Sequence, residues 1–284
     1  MSAPTGMANP DDATGHKPNV VGLVLRIGLF ALLGWLTLLA LAILLSPLGV
    51  LVASTVSTFG AAAVANAVTV RIFERGTLAD LGLGWSPQAG RDFLIGTGSG
   101  IAAVALILGV PLLFRAAQFE PAPTVEHPWA GFVFVSVILL LGAAGEEMLF
   151  HGYAFQLLLR STSPYATILP VSVLFGLAHW SNQNASVGGV MNTVLWGVLL
   201  GWAYYRTGSL WLPIGLHFGW NFTLPLFGEN LSGFTMGVTG HTLHWSIGDF
   251  WSGGAYGPEG GILTTLVVIA LFLALLRYGR NEGA

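Results

Sequence analysis

Glu146 and Glu147 stand side by side in Leu139-Leu140-Leu141-Gly142-Ala143-Ala144-Gly145-Glu146-Glu147-Met148-Leu149-Phe150-His151, at the end of a run otherwise fit for lipid. Two further apolar stretches carry ionisable or amide groups: Phe175 to His179, and His217 to Asn221. Within a bilayer an ionisable side chain costs at least roughly 2.5–3.5 kcal/mol at the centre unless it is paired, hydrated or liganded. These residue types together suit the activation of water. Neutral imidazoles with a carboxylate bind a divalent cation such as zinc and leave a position for water, while a second carboxylate takes the proton. Asn221 lacks acid–base chemistry, but its amide N–H can donate to the oxyanion that forms as a peptide carbonyl becomes tetrahedral. The set reads as hydrolysis of an amide bond.

The elements that must position these residues are membrane helices. The chain is 54% hydrophobic and 8% charged, with a mean hydropathy of +0.74; a soluble domain carries roughly 25% charged residues. The expected fold is all-α, a polytopic helix bundle with about eight spans, near 21–45, 50–70, 93–115, 129–158, 165–181, 188–206, 210–227 and 261–278. Each supplies something close to the about 20 apolar residues that a bilayer core of about 30 Å requires. Residues 20–280 are expected to form one transmembrane domain, preceded by a disordered cytoplasmic tail at 1–19. The first apolar run, Val20–Leu45, exceeds the roughly 7–15 residues of a signal-peptide core and is expected to remain as a span. A single Lys beside nine Arg and a net charge of −3 give no basic patch for nucleic acid. With no Cys there is neither a disulfide framework nor thiolate chemistry.

Orientation follows from the basic residues in short loops. Eight spans place Lys17, Arg71, Arg75, Arg91, Arg160, Arg206, Arg277 and Arg280 on one side and Arg115 on the other, so both termini are expected in the cytoplasm. Glu120, Glu126, Glu229, Asp249 and Glu259 sort to the external loops. The last of these, about 228–260, holds Trp245 and Trp251 and is expected to lie on the membrane interface. On this topology Glu146 and His179 lie roughly 21 and 22 Å from the cytoplasmic side, and His217 roughly 14 Å, at about 1.5 Å per helical residue. Three helices thus deliver carboxylates and imidazoles to similar depth.

Spacing refines the picture. His217 and Asn221 share a helix face, as do Glu147 and His151, whereas Glu146 and Glu147 diverge by about 100° and should have different partners. Gly215 with Gly219, and Gly197 with Gly201, form small-xxx-small pairs that admit a close helix. Gly96, Gly98 and Gly100 are read as helix packing, because no strand precedes them as a phosphate loop requires. His241 and His244 mimic a metal pair but sit in a Gly-rich loop and are read as solvated.

The motifs resemble those of the CPBP intramembrane proteases, which include type II CAAX prenyl endopeptidases and lysostaphin-resistance-like proteins. That family carries Glu-Glu-x-x-x-Arg, Phe-x-x-x-His and His-x-x-x-Asn/Asp on successive helices, matched here by Glu146 to His151, Phe175 to His179 and His217 to Asn221. Gly197 to Gly201, Tyr205 to Ile214 and Asp80-Leu81-Gly82-Leu83 also look typical, so the resemblance covers about 78–227. It implies an eight-span plasma-membrane protease with a conical cavity open on the cytoplasmic side. Glu146 would be the base, completed by Glu147, His179, His217 and Asn221. A divalent metal, zinc foremost, would be held by Glu147, His179 and His217. The implied substrate is a membrane-associated peptide or protein, lipidated or not. His151 departs from the family's Arg. It either still donates to Glu147, becomes an extra ligand, or marks a chain that keeps the fold as a non-catalytic interaction or immunity protein. A proton-coupled transporter would also use intramembrane Glu and His, but no inverted repeat is visible.

Overall fold

The computed structural model describes residues 19–123 and 128–278. The expectations for the N-terminal tail through residue 18, including Lys17, and for Glu126 and Arg280 lie outside the described residues. The helices are α1 (Val20–Leu45), α2 (Val50–Phe73), α3 (Pro87–Leu113), α4 (Pro128–His151), α5 (Tyr153–Ser161), α6 (Pro164–Ala178), α7 (Val187–Thr207), α8 (Trp211–Leu226), the one-turn α9 (Asp249–Ser252) and α10 (Ile262–Arg277). Their starts are written in the sequence. Asn19, Ser86, Ser163 and Ser186 accept backbone N–H bonds at the heads of α1, α3, α6 and α7, and Pro follows the cap at α3 and α6.

An α-helical membrane bundle is what the composition demanded. Among the described residues, five helical segments are long and apolar enough to cross a bilayer: Val20–Leu48, Val50–Phe73, Pro87–Leu113, Trp129–Ser161 and Val187–Thr207. The other segments expected as spans form helices of 15 residues in α6 and 16 residues in each of α8 and α10. These fall short of the about 20 residues that cross about 30 Å unaided.

The expected span at 129–158 is broken at Gly152, where α4 gives way to α5. Interrupted helices survive in a membrane only where neighbours satisfy the freed backbone groups. Asn66, fully buried on α2, does this: its amide donates to the Met148 carbonyl at 2.8 Å and its oxygen accepts from Tyr153 N–H at 2.7 Å. Gln156 adds a bond from its amide to the His151 carbonyl at 3.0 Å. A Cβ at Gly152 would run into Asn66 and the Met148 carbonyl.

The glycine pairs pack as expected. Gly96 and Gly100 of α3 lie against the backbone of α8, and Gly215 and Gly219 of α8 lie against that of α3, so the two helices approach backbone to backbone. Gly82 has φ +80° and its carbonyl accepts from Leu210 N–H at 3.0 Å, which ties the Asp80 to Leu83 motif to the turn before α8. The main core surrounds Phe175, Trp196, Leu200 and Trp220.

A two-stranded antiparallel ribbon was not expected. β1 (Ala117–Pro121) pairs with β2 (His241–Trp245) in the register Ala117↔Trp245. The segment 228–260 is folded onto the bundle: Asn192 of α7 donates to the carbonyls of Glu259 and Gly261, at 2.7 and 3.0 Å. His241 and His244 are exposed on β2, consistent with solvated residues. The opposite end of the bundle gathers the arginines. There Arg26 pairs with Glu74 at 2.8 Å, and Arg206 donates to the Tyr278 carbonyl.

Candidate active site

The last turn of α4 builds the site's inner layer. Glu147 is fully buried and each of its oxygens has a partner. His151 Nδ1–H, one turn on, donates to Oε2 at 2.7 Å, and His217 Nδ1–H from α8 donates to Oε1 at 2.8 Å. A carboxylate can be kept this deep only when its lone pairs are met by hydrogen bonds. His151 thus supplies a donor from the position where the resemblance implies Arg. Its ring stands edge-on to Phe155, and Nε2 is close to Gly201: a Cβ there would come within 3.3 Å of it. Gly201 makes room for the imidazole.

Because Nδ1 of His217 is the donor, its Nε2 carries a lone pair directed elsewhere. It faces Glu146 Oε2 at 3.9 Å. His179, in the turn that ends α6, arrives in the same state. Its Nδ1–H donates to the Phe175 carbonyl at 2.8 Å, and its Nε2 stands 3.7 Å from the same Glu146 oxygen. The Phe-x-x-x-His spacing therefore has a physical content: Phe175 fixes the tautomer, and its ring packs against those of His179 and His217. Glu146 Oε2 is buried without a hydrogen-bond partner, although 29% of the side chain is exposed. The structure thus brings two imidazole lone pairs and one unpartnered carboxylate oxygen to a common point.

Asn221 is half-buried one turn beyond His217 and lines the same cavity as Glu146, His179 and His217. The cavity measures about 430 Å³. Its deep wall includes Leu149, Phe150 and Leu200, and its outer wall includes Val50, Ser54, Asn182 and Ser232. These outer residues lie at the end of the bundle away from the arginines.

Among the described residues, no group of three or more His, Cys, Asp or Glu side chains stands at metal-holding geometry. The donors around Glu146 Oε2 suit a cation in kind, being two imidazole lone pairs and an orphaned carboxylate oxygen. Their separations of 3.7 and 3.9 Å exceed the about 3.3 Å between ligands that sit about 2.0–2.1 Å from a tetrahedral zinc. Glu147 has both oxygens engaged by imidazole N–H groups instead.

Three supporting residues escaped the reading of the sequence. Asn66 and Gln156 secure the helix break beside His151, and a buried Asn in an apolar helix was the signal available for the first. The third is Glu259, whose Oε1 accepts from Trp220 Nε1 at 3.0 Å and whose Oε2 accepts from the Ser232 backbone N–H and hydroxyl. It fixes the outer loop beside Asn221.

Comparison of the chain with curated proteins and with solved structures gives no significant match. Comparison with protein families does: residues 128–223 match Rce1-like, described as type II CAAX prenyl endopeptidase Rce1-like. The matched segment spans α4 to α8 and contains Glu146, Glu147, His151, Phe175, His179, His217 and Asn221. In this segment, which holds all three motifs, the chain is similar to the Rce1-like type II CAAX prenyl endopeptidases.

Proposed function

We propose that the protein is an intramembrane endopeptidase that hydrolyses a peptide bond in a membrane-associated protein or peptide. The observation that carries this reading is the convergence of His179 Nε2 and His217 Nε2 on the unpartnered Glu146 Oε2. A water at that point gives one hydrogen bond to Glu146 and one to an imidazole, leaving an oxygen lone pair for the substrate carbonyl. Glu146 takes the water proton as the C–O bond forms. Asn221 donates its amide N–H to the oxyanion. Glu146 then delivers the proton to the departing amine as the C–N bond breaks, releasing a carboxylic acid and an amine.

Glu147 and His151 act on this chemistry through His217. Glu147 holds Nδ1–H of His217 and thereby keeps its Nε2 free, as outer-sphere carboxylates do for reacting histidines. The donation from His151 to Glu147 supports competence despite the departure from Arg. In our reading a divalent cation such as zinc would be held by the Nε2 atoms of His179 and His217, with Glu146 left to take the proton, rather than by Glu147. It would supply Lewis-acid polarisation of water. We further propose eight spans in a plasma membrane, with both termini cytoplasmic and the short helices α6, α8 and α10 completed by their flanking turns.

The test compares protein termini by mass spectrometry in membranes from cells expressing the wild type or Glu146→Gln at matched levels. A terminus present with the wild type and lost with Glu146→Gln supports hydrolysis and names the substrate. Identical termini in both would refute it.

A further inference from the structure

Nine buried side-chain atoms among the described residues have no hydrogen-bond partner, and two of the nine belong to residues that line the cavity. One is Glu146 Oε2, the acceptor at the centre of the site. The other is a donor, the indole Nε1–H of Trp196 on α7. Trp196 is 6% exposed. A buried N–H without an acceptor is costly, because it has given up water and gained no partner. Indole has one N–H and no accepting atom, so no change of tautomer relieves it. Thr193, Trp196 and Leu200 recur at three- and four-residue spacing and all line the cavity, so this face of α7 forms one of its walls.

We infer that Trp196 Nε1–H is a binding donor for a main-chain carbonyl of the substrate, one beside the scissile bond rather than the carbonyl that is attacked. This rests on the hydrolytic reading proposed above and deepens it. The neighbouring groups show why the acceptor comes from outside the protein. The ring of Trp196 packs on that of Trp220, with centroids 4.8 Å apart and planes at 57°. Trp220 donates its own N–H to Glu259 Oε1 at 3.0 Å, and Glu259 Oε2 accepts from Ser232. The protein thus provides an acceptor for one indole of the pair and none for the other. Trp220 immediately precedes Asn221, the oxyanion donor of the proposed reaction, and both line the cavity. A substrate held at Asn221 therefore passes along the wall to which the two indoles belong.

A peptide must be unwound to be cleaved, and its freed carbonyls then need donors, because lipid offers none. Several hydroxyls of the lining are already engaged. Ser54 and Thr193 donate to the carbonyls of Leu51 and Gly189 in their own helices, at 3.2 and 2.8 Å, and Ser232 donates to Glu259 at 2.9 Å. The N–H of Trp196 has no such engagement. A carbonyl beside the scissile bond does not change its charge in the reaction, so its hydrogen bond holds equally in the bound substrate and in the transition state. Such uniform binding lowers KM and leaves kcat unchanged. Trp202 supplies the comparison. Its Nε1 is likewise buried without a partner, but it stands outside the cavity lining, with its ring among Tyr165, Tyr205 and Phe272.

The test uses Trp196→Phe, Trp202→Phe and Trp196→benzothienylalanine, the last of which replaces the N–H by sulfur and keeps both rings. Each is reconstituted in liposomes with the membrane protein that the terminal comparison identifies as substrate, beside the wild type and Glu146→Gln. Initial rates over a range of substrate concentrations give kcat and KM. Both Trp196 variants are expected to raise KM about tenfold with kcat within about twofold of the wild type. Trp202→Phe is expected to leave both constants unchanged. An unchanged KM in the benzothienylalanine variant would overturn the inference, because the ring and not its N–H would then matter. A fall in kcat at unchanged KM, or an equal effect of Trp202→Phe, would overturn it too. The hydrolytic reading fails separately: cleavage by Glu146→Gln at the wild-type rate removes that reading and this inference together, whereas a wild-type KM in the benzothienylalanine variant beside an inactive Glu146→Gln removes only the role of Trp196.

Discussion

Glu146 and Glu147 are adjacent and chemically identical, yet opposite consequences follow from exchanging each for Gln. Glu147 accepts two imidazole N–H bonds, at 2.7 and 2.8 Å, in a fully buried position. Gln in its place offers one oxygen and one NH2, so either His151 or His217 loses its acceptor. A hydrogen bond to a charged group contributes about 1.5–3 kcal/mol, and a buried donor left unpaired costs about 1–3 kcal/mol. Glu147→Gln should therefore destabilise the protein by about 1.5–3 kcal/mol, the lower value applying if the ring adopts its other tautomer. Glu146 Oε2 has no hydrogen-bond partner to lose. Glu146→Gln should shift stability by less than about 0.5 kcal/mol, as substitutions outside packed networks do, while abolishing cleavage. Reversible unfolding in detergent, followed by tryptophan fluorescence, measures both variants beside the wild type. Equal destabilisation by the two would refute the division into a reacting and a positioning carboxylate. So would a neutral Glu147→Gln.

The remaining predictions concern the supports. Asn66→Ala removes the acceptor for Tyr153 N–H and the donor to Met148; it should cost about 2 kcal/mol or more in the same unfolding assay, since each group is buried. Gly201→Ala places a methyl within 3.3 Å of His151 Nε2 and should reduce cleavage severalfold with little loss of folded protein, which a cleavage time course at matched amounts detects. Burial pushes the Glu229 carboxyl, outside the spans, up to about 7, against a bond from Trp245 that opposes this. The folded state therefore binds a proton that the unfolded state releases near the ordinary carboxylate value. Its contribution is fully present below that value and is lost as pH rises through about 7. Unfolding measured from pH 5 to about 8 should show this decline, and Glu229→Gln should flatten it.

The parts legible in the sequence were those governed by lipid. A charged side chain inside an apolar run is conspicuous, so Glu146, Glu147, His179 and His217 stood out, and helical spacing put Asn221 and His151 on the right faces. The glycine pairs of α3 and α8 likewise announced a close crossing. What stayed hidden depends on long-range partners. Gly152 in an apolar helix is ordinary until Asn66, more than eighty residues earlier, turns up beside it to cap the break. Glu259 read as a loop acid because nothing local shows that Trp220 and Ser232 donate to it. The pairing of β1 with β2 joins segments separated by the whole of α4 to α8, and neither strand has a strong pattern of its own.

The most direct test of the central claim is to follow solvent oxygen. Purified wild-type protein and Glu146→Gln are reconstituted in liposomes with the substrate named by the terminal comparison, in water enriched in heavy oxygen. The account predicts a new C-terminal carboxylate carrying one solvent oxygen with the wild type, and none with Glu146→Gln. The same labelled product from Glu146→Gln would contradict the account, as would an intact substrate with both proteins.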